Sequence, residues 1–266
     1  MHVERYGHGG TAVILLHGFG TCTFLWRGVA PAISAAGHTA YAIDLFGYGE
    51  SDRPYDASFG ISAQADYLDA AMTALRVPRA IVVGVDIGGD IALTLAATRP
   101  DRVEKLVLIN TPAFEQVPAR DITQMQRRTA KFAFRLTRGV LGAAPLLEHV
   151  LRGSVANADH MPMRLIARYL APFVGRDGVN HLLALASSVT AADMEEVDLS
   201  SIQAPSLVIW GEEDHWIDAK IADRLINELP DSRLVRLSGV GRLVPEENAE
   251  YLVELLLEFM RRRAAA

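Results

Sequence analysis

Four short glycine-rich stretches of this 266-residue chain carry the side chains best suited to do chemistry. GVDIGG (84–89) ends an apolar run, with Gly84 two residues before Asp86 and Gly88 two residues after it. Small residues at those two positions let the chain turn sharply from a buried strand into a helix and push the central side chain out over a sheet. Serine is the usual occupant of such an elbow. A carboxylate differs from it by being ionised at neutral pH, so it can attack carbon or accept a proton without prior activation. HGFG (17–20) follows the first long apolar run, and the backbone N–H groups of Phe19 and Ile87 would face one cleft, where they can hold an oxyanion or a carbonyl oxygen. In VIWGEEDHWI (208–217) Asp214 stands between a buried strand and a helix start. In GVGRLVPEEN (239–248) the reactive-looking side chain is Arg242, which cannot take up a proton and acts only as a fixed cation.

The strands and helices that carry these residues are legible as pattern. Apolar, β-branched runs at 11–18, 38–44, 79–86, 105–110, 206–211 and 233–239 read as strands, and their near-continuous hydrophobicity is that of parallel strands covered on both faces. Helical stretches are expected at about 22–36, 61–76 and 87–98, with Leu68, Met72 and Leu75 sharing one face, and a last helix in EENAEYLVELLLEFM. Between 112 and 200 strand-like runs vanish and Met, Phe, Leu, Ala and Arg recur at helical spacing, broken by Pro145, Pro162 and Pro172. The expected organisation is an α/β core formed by 1–111 and 201–266, a mostly parallel twisted sheet flanked by helices, with a helical cap inserted at 112–200.

Bulk properties remove several function classes. With 26 basic and 32 acidic residues the net charge is −6, which disfavours broad attraction to nucleic acid or to an anionic membrane. The run Arg261–Arg263 is the one basic cluster and suits a helix end. Cys22 is the single cysteine, which rules out an internal disulfide and a CxxC zinc site and fits a reducing compartment, so a cytoplasmic location is expected. The first ten residues lack a signal-peptide core, and no apolar run is long enough to span a bilayer. Gly18 to Gly20 lack GxGxxG spacing, so no dinucleotide is expected, nor any other cofactor or metal. The expected partner is a small-molecule substrate; a homodimer stays open.

Taken in order, HGFG, DLFGYGESD (44–52), GVDIGG, the helical insertion, WGEED and GVGRLVPEE resemble the α/β-hydrolase fold superfamily over nearly the whole chain. The Asp elbow is most similar to the haloalkane dehalogenase and epoxide hydrolase branch. That resemblance implies that Asp86 is the nucleophile, that Asp214 is the orienting acid, and that a histidine would stand at position 242. Arg242 departs from it, and an aspartyl ester formed on Asp86 would then lack its water-activating base. Ile87 stands where dehalogenases of this branch place a halide-binding tryptophan. The insertion holds a single tyrosine, Tyr169, where epoxide hydrolases use two.

If the turn keeps its family position, Arg242 lies within reach of Asp86 and of Asp214, giving an Asp–Arg–Asp set that orients and polarises without relaying a proton. Such a set suits a non-hydrolytic step on an apolar molecule: cyclisation, carbon–carbon or carbon–oxygen bond formation, elimination or epoxide opening. A hydrolase of the Asp branch would need a substitute base, for which His215, His160 and His181 are the candidates. Trp216 and Tyr169 are candidates for substrate contact. The remaining alternatives are a catalytically silent ligand-binding relative and a purely structural Asp86–Arg242 ion pair.

Overall fold

The apolar runs fold into a seven-stranded sheet in the order β1-β3-β2-β4-β5-β6-β7 in the computed structural model, which describes residues 1–127, 144–195 and 197–262. Its strands are β1 (Val3–Tyr6), β2 (Ala12–Leu16), β3 (Thr39–Ile43), β4 (Ala80–Val85), β5 (Val103–Ile109), β6 (Ser206–Gly211) and β7 (Ser232–Leu237). From β3 to β7 every pairing is parallel; β4 runs beside β2 with Leu16 opposite Gly84, and beside β5 with Val85 opposite Ile109. Every residue of β3, β4 and β6 is buried, as strands covered on both faces require. β1 pairs antiparallel with β3 at the edge of the sheet. Its sequence, VERY, is too short and too charged to register as a strand by composition, and pairing with β3 creates it.

Among the described residues the helices are α1 (Ala30–Ala35), α2 (Ile61–Ala74), α3 (Ile87–Thr98), α4 (Arg120–Gln126), α5 (Ala144–Arg152), α6 (Met163–Leu170), α7 (Gly175–Ser188), α8 (Ala192–Glu195), α9 (Lys220–Glu228), α10 (Val244–Glu247) and α11 (Ala249–Arg261). The single helix expected over 22–36 is instead a 3₁₀ turn, Thr23–Trp26, followed by α1 with proline in its first turn. Of the insertion at 112–200, the described residues form helices α4 to α8 and short 3₁₀ turns, without strands; 128–143 and Glu196 lie outside the described residues. At the far end of the chain Lys105, on β5, donates from Nζ to the carbonyls of Phe259 and Met260 at 2.8 and 2.9 Å, so a buried cation closes α11. Of the terminal arginine run, Arg263 lies outside the described residues.

Candidate active site

The chain leaves β4 at Val85 and enters α3 at Ile87, so Asp86 alone makes the turn, at φ 54° and ψ −129°. A residue with a side chain seldom adopts that backbone, and the packing around it holds it there. A Cβ on Gly84 would stand 2.2 Å from the Gly88 carbonyl oxygen, and one on Gly88 would stand 2.6 Å from that of His17. The two glycines are therefore required by close backbone approach, and they seat the elbow directly on the end of β2. HGFG, which follows β2, packs against the carboxylate: a Cβ on Gly18 would lie 2.8 Å from the Asp86 Cβ.

Asp86 is 1% exposed, and both of its oxygens are engaged. The Phe19 N–H donates to Oδ2 at 2.9 Å, and Arg242 donates from Nη1 to Oδ1 at 3.2 Å. Of the two amides expected to hold a substrate oxygen, that of Phe19 is thus committed to Asp86. The Ile87 N–H, at the first position of α3, has no intrahelical acceptor.

Arg242, also 1% exposed, is the centre of the group. Beyond Asp86 it donates from Nη2 to Asp121 Oδ2 at 2.8 Å and to Ser154 Oγ at 2.7 Å. Asp214 is not among these partners. Its Oδ1 accepts from the N–H groups of Trp216 and Ile217 at 2.8 and 3.2 Å, and its Oδ2 from Asn110 Nδ2 at 3.0 Å. The expected Asp86–Arg242–Asp214 set is therefore Asp86–Arg242–Asp121 as far as direct contacts go. Asp121, at the start of α4 in the insertion, carried no sequence signal, because an acid in a first helical turn is most simply read as matching the helix dipole.

Among the described residues none of the three candidate substitute bases hydrogen-bonds Asp86. His215 is exposed. His160 is exposed and sits 3.5 Å from Glu247. His181 Nε2 lies 2.6 Å from the Gly47 carbonyl oxygen, with the ring stacked on Phe173. His17 is buried beside the elbow and fixed in one neutral form: Nδ1 donates to the Gly18 carbonyl and Nε2 accepts from the Leu45 N–H. Tyr169 is buried with its hydroxyl donating to Glu246, so the tyrosine expected at the substrate is occupied by the core. Trp216 is buried against Gly153 of the insertion, its ring edge-on to His149.

Burial and charge pull the site in opposite directions. Burial pushes the Asp86 carboxyl up to about 6, the Arg242 cation opposes that rise, and the charges of Asp121 and Asp214 add to it. One cation shared between two carboxylates does not fully offset the loss of water, so Asp86 is ionised at pH 7 yet close to its titration point. Burial also raises Asp214, and it raises Asp90, one turn into α3, well above the ordinary carboxylate value. For Arg242 burial works against the charge but Asp121, Asp86 and Asp214 outweigh it, so the guanidinium stays charged. Polar atoms of this region buried without a partner among the described residues include Arg242 Nε, Asp121 Oδ1, Tyr48 Oη and Asp90 Oδ2. The arrangement can take or give one proton at Asp86 and stabilise charge with Arg242, and among the described residues no histidine hydrogen-bonds Asp86.

The family model of the alpha/beta hydrolase fold matches residues 11–249. A 2-hydroxy-6-oxononadienedioate/2-hydroxy-6-oxononatrienedioate hydrolase of Burkholderia vietnamiensis is 30% identical, with 98% of this chain and 91% of that protein covered. Among solved structures, the epoxide hydrolase CorEH superposes with a TM-score of 0.82 at 21% identity, over 97% of this chain and 94% of its own. The ancestral haloalkane dehalogenase AncHLD2 gives 0.82 at 22% over the same shares. At those identities the superpositions speak for the fold. No helix among the described residues is long and apolar enough to cross a membrane. With its parallel sheet, its Asp-bearing elbow and its helical insertion, the chain belongs to the alpha/beta hydrolase fold family.

Proposed function

We propose that this chain is an enzyme that transforms a mostly apolar small molecule by proton transfer at Asp86, with Arg242 as a fixed counter-charge, in a step that consumes no water. Cyclisation, carbon–carbon or carbon–oxygen bond formation, elimination and opening of an epoxide by the substrate's own nucleophile all fit that description. The observation that carries the reading is the guanidinium of Arg242 at 3.2 Å from Asp86, in the position where a hydrolase of this resemblance needs a proton-accepting base. Asp86 accepts the proton, Arg242 holds the carboxylate or a developing negative charge, and the surrounding apolar residues exclude water. The unpaired Arg242 Nε, Asp121 Oδ1 and Tyr48 Oη are polar atoms that a bound substrate can satisfy.

A second reading is favoured by the relatives, whose names describe hydrolases. In it Asp86, titrating near 6, activates water directly as a general base. The two separate in ¹⁸O-labelled water once a turned-over substrate is in hand. Unlabelled product supports the non-hydrolytic step. One labelled oxygen in the product sinks it in favour of water attack, and label accumulating in Asp86 over many turnovers would instead point to an aspartyl ester.

A further inference from the structure

A cleft of about 520 Å³ lies where α6 meets the core, lined in part by Phe24, Arg27, Arg164, Arg168 and Glu246. None of its lining residues belongs to the Asp86–Arg242–Asp121–Ser154 group. On α6 the buried residues are Leu165, Ile166 and Tyr169, so the helix turns Arg164 and Arg168 outward, one turn apart. Like charges at that spacing repel one another. Among the described residues neither arginine has a carboxylate partner. Arg27, the third cation, is already matched, because its two Nη atoms donate to the two oxygens of Glu246 at 2.6 Å each. Its guanidinium lies 4.4 Å from the centre of the Phe24 ring and that of Arg168 lies 5.3 Å from it. Three arginines therefore face two lining acids, Asp159 and Glu246, and one of those acids is committed to Arg27.

From this geometry we infer that the cleft binds an oxyanion, a carboxylate or a phosphate, borne by a small molecule whose apolar part packs on Phe24 and Leu165. Guanidinium forks match the paired oxygens of either group, and Arg168 is held over an aromatic face that limits its freedom before any ligand arrives. An anion between Arg164 and Arg168 converts their mutual repulsion into two charge-assisted contacts. The inference does not depend on the reaction at Asp86, since the two groups of residues are separate.

Calorimetric titration at low ionic strength tests it without a substrate. The probes are inorganic phosphate, phenyl phosphate, succinate and benzoate, with sodium chloride at matched ionic strength as the blank. The expected result is saturable binding of at least one probe, tighter for the aromatic member of its pair, and weakened at least about tenfold in the Arg164→Ala/Arg168→Ala double variant. Both arginines are exposed, so the double variant should keep its fold, which circular dichroism checks. The phosphate and carboxylate arms decide which oxyanion is preferred. Asp86→Asn should bind the probes as the parent does. The inference is overturned if no probe binds above the chloride blank, if the double variant binds equally well, or if Asp86→Asn abolishes binding.

Discussion

Asp86 and Asp214 are the same residue at the ends of two strands of one parallel sheet, β4 and β6, and their surroundings make them opposites. Asp214 is held by three neutral donors, two backbone N–H groups within three residues of it and Asn110 from the end of β5, so its lone pairs fasten the turn that follows β6. Asp86 accepts one backbone N–H and one guanidinium, and that guanidinium is shared with Asp121 from the inserted segment. Neutral donors make a carboxylate a structural peg. A cation reached across 156 residues makes it part of a charge balance that substrate and protons can tip.

The strongest way to break this contrast is to remove the cation. Arg242→Ala leaves Asp86 and Asp121 buried and unpaired, and should lower the unfolding free energy by about 3 to 5 kcal/mol at pH 7 in denaturant titration. The deficit should shrink toward pH 5. A carboxyl whose folded pKa stands raised, from 3.8 to about 6, contributes most to stability below its unfolded pKa and loses that contribution as pH rises through about 6. A loss below about 1 kcal/mol would class the pair with surface ion pairs and remove the premise.

Asp86→Asn comes next. It removes the proton acceptor, and the native reaction should slow by roughly 10² to 10⁴ while the protein stays folded. An unchanged rate would refute the role given to Asp86. For Asp214→Asn the expected effect is on stability, about 1 kcal/mol, because an amide oxygen can still accept from Trp216 and Ile217; the rate should change far less than in Asp86→Asn. Equal losses of rate in the two variants would erase the distinction between the strand ends.

The smallest effect is the most specific. A rate that needs ionised Asp86 should fall as pH drops through about 6, and Asp121→Asn should move that fall to lower pH, since the charge of Asp121 helps hold the Asp86 pKa up. A shift in the opposite direction would mean that Asp121 acts mainly by steadying Arg242 against Asp86.

The elbow is legible in the sequence because Gly84 and Gly88 answer a local steric demand, and the parallel strands are legible because burial on both faces writes itself as continuous apolar runs. β1 is not, since four residues with two charges become a strand only by pairing with β3. The partners of Arg242 were half legible. Its place at a strand-to-helix turn followed from glycine spacing, whereas Asp121 and Ser154 lie 121 and 88 residues away in the insertion and carry no pattern of their own.

The layered α/β core, the Asp at its elbow and a fixed cation at the turn after the last strand are written in the sequence, because each depends on residue type and on spacing within a few positions. Long-range packing alone divides Arg242 between Asp86 and Asp121, holds Asp214 by its own turn and by Asn110, leaves His215 exposed, and engages His160 and His181 away from Asp86. Those outcomes depend on which side chains long-range packing brings within about 3 Å of one another, the hydrogen-bond range, and periodicity along the chain does not encode that distance.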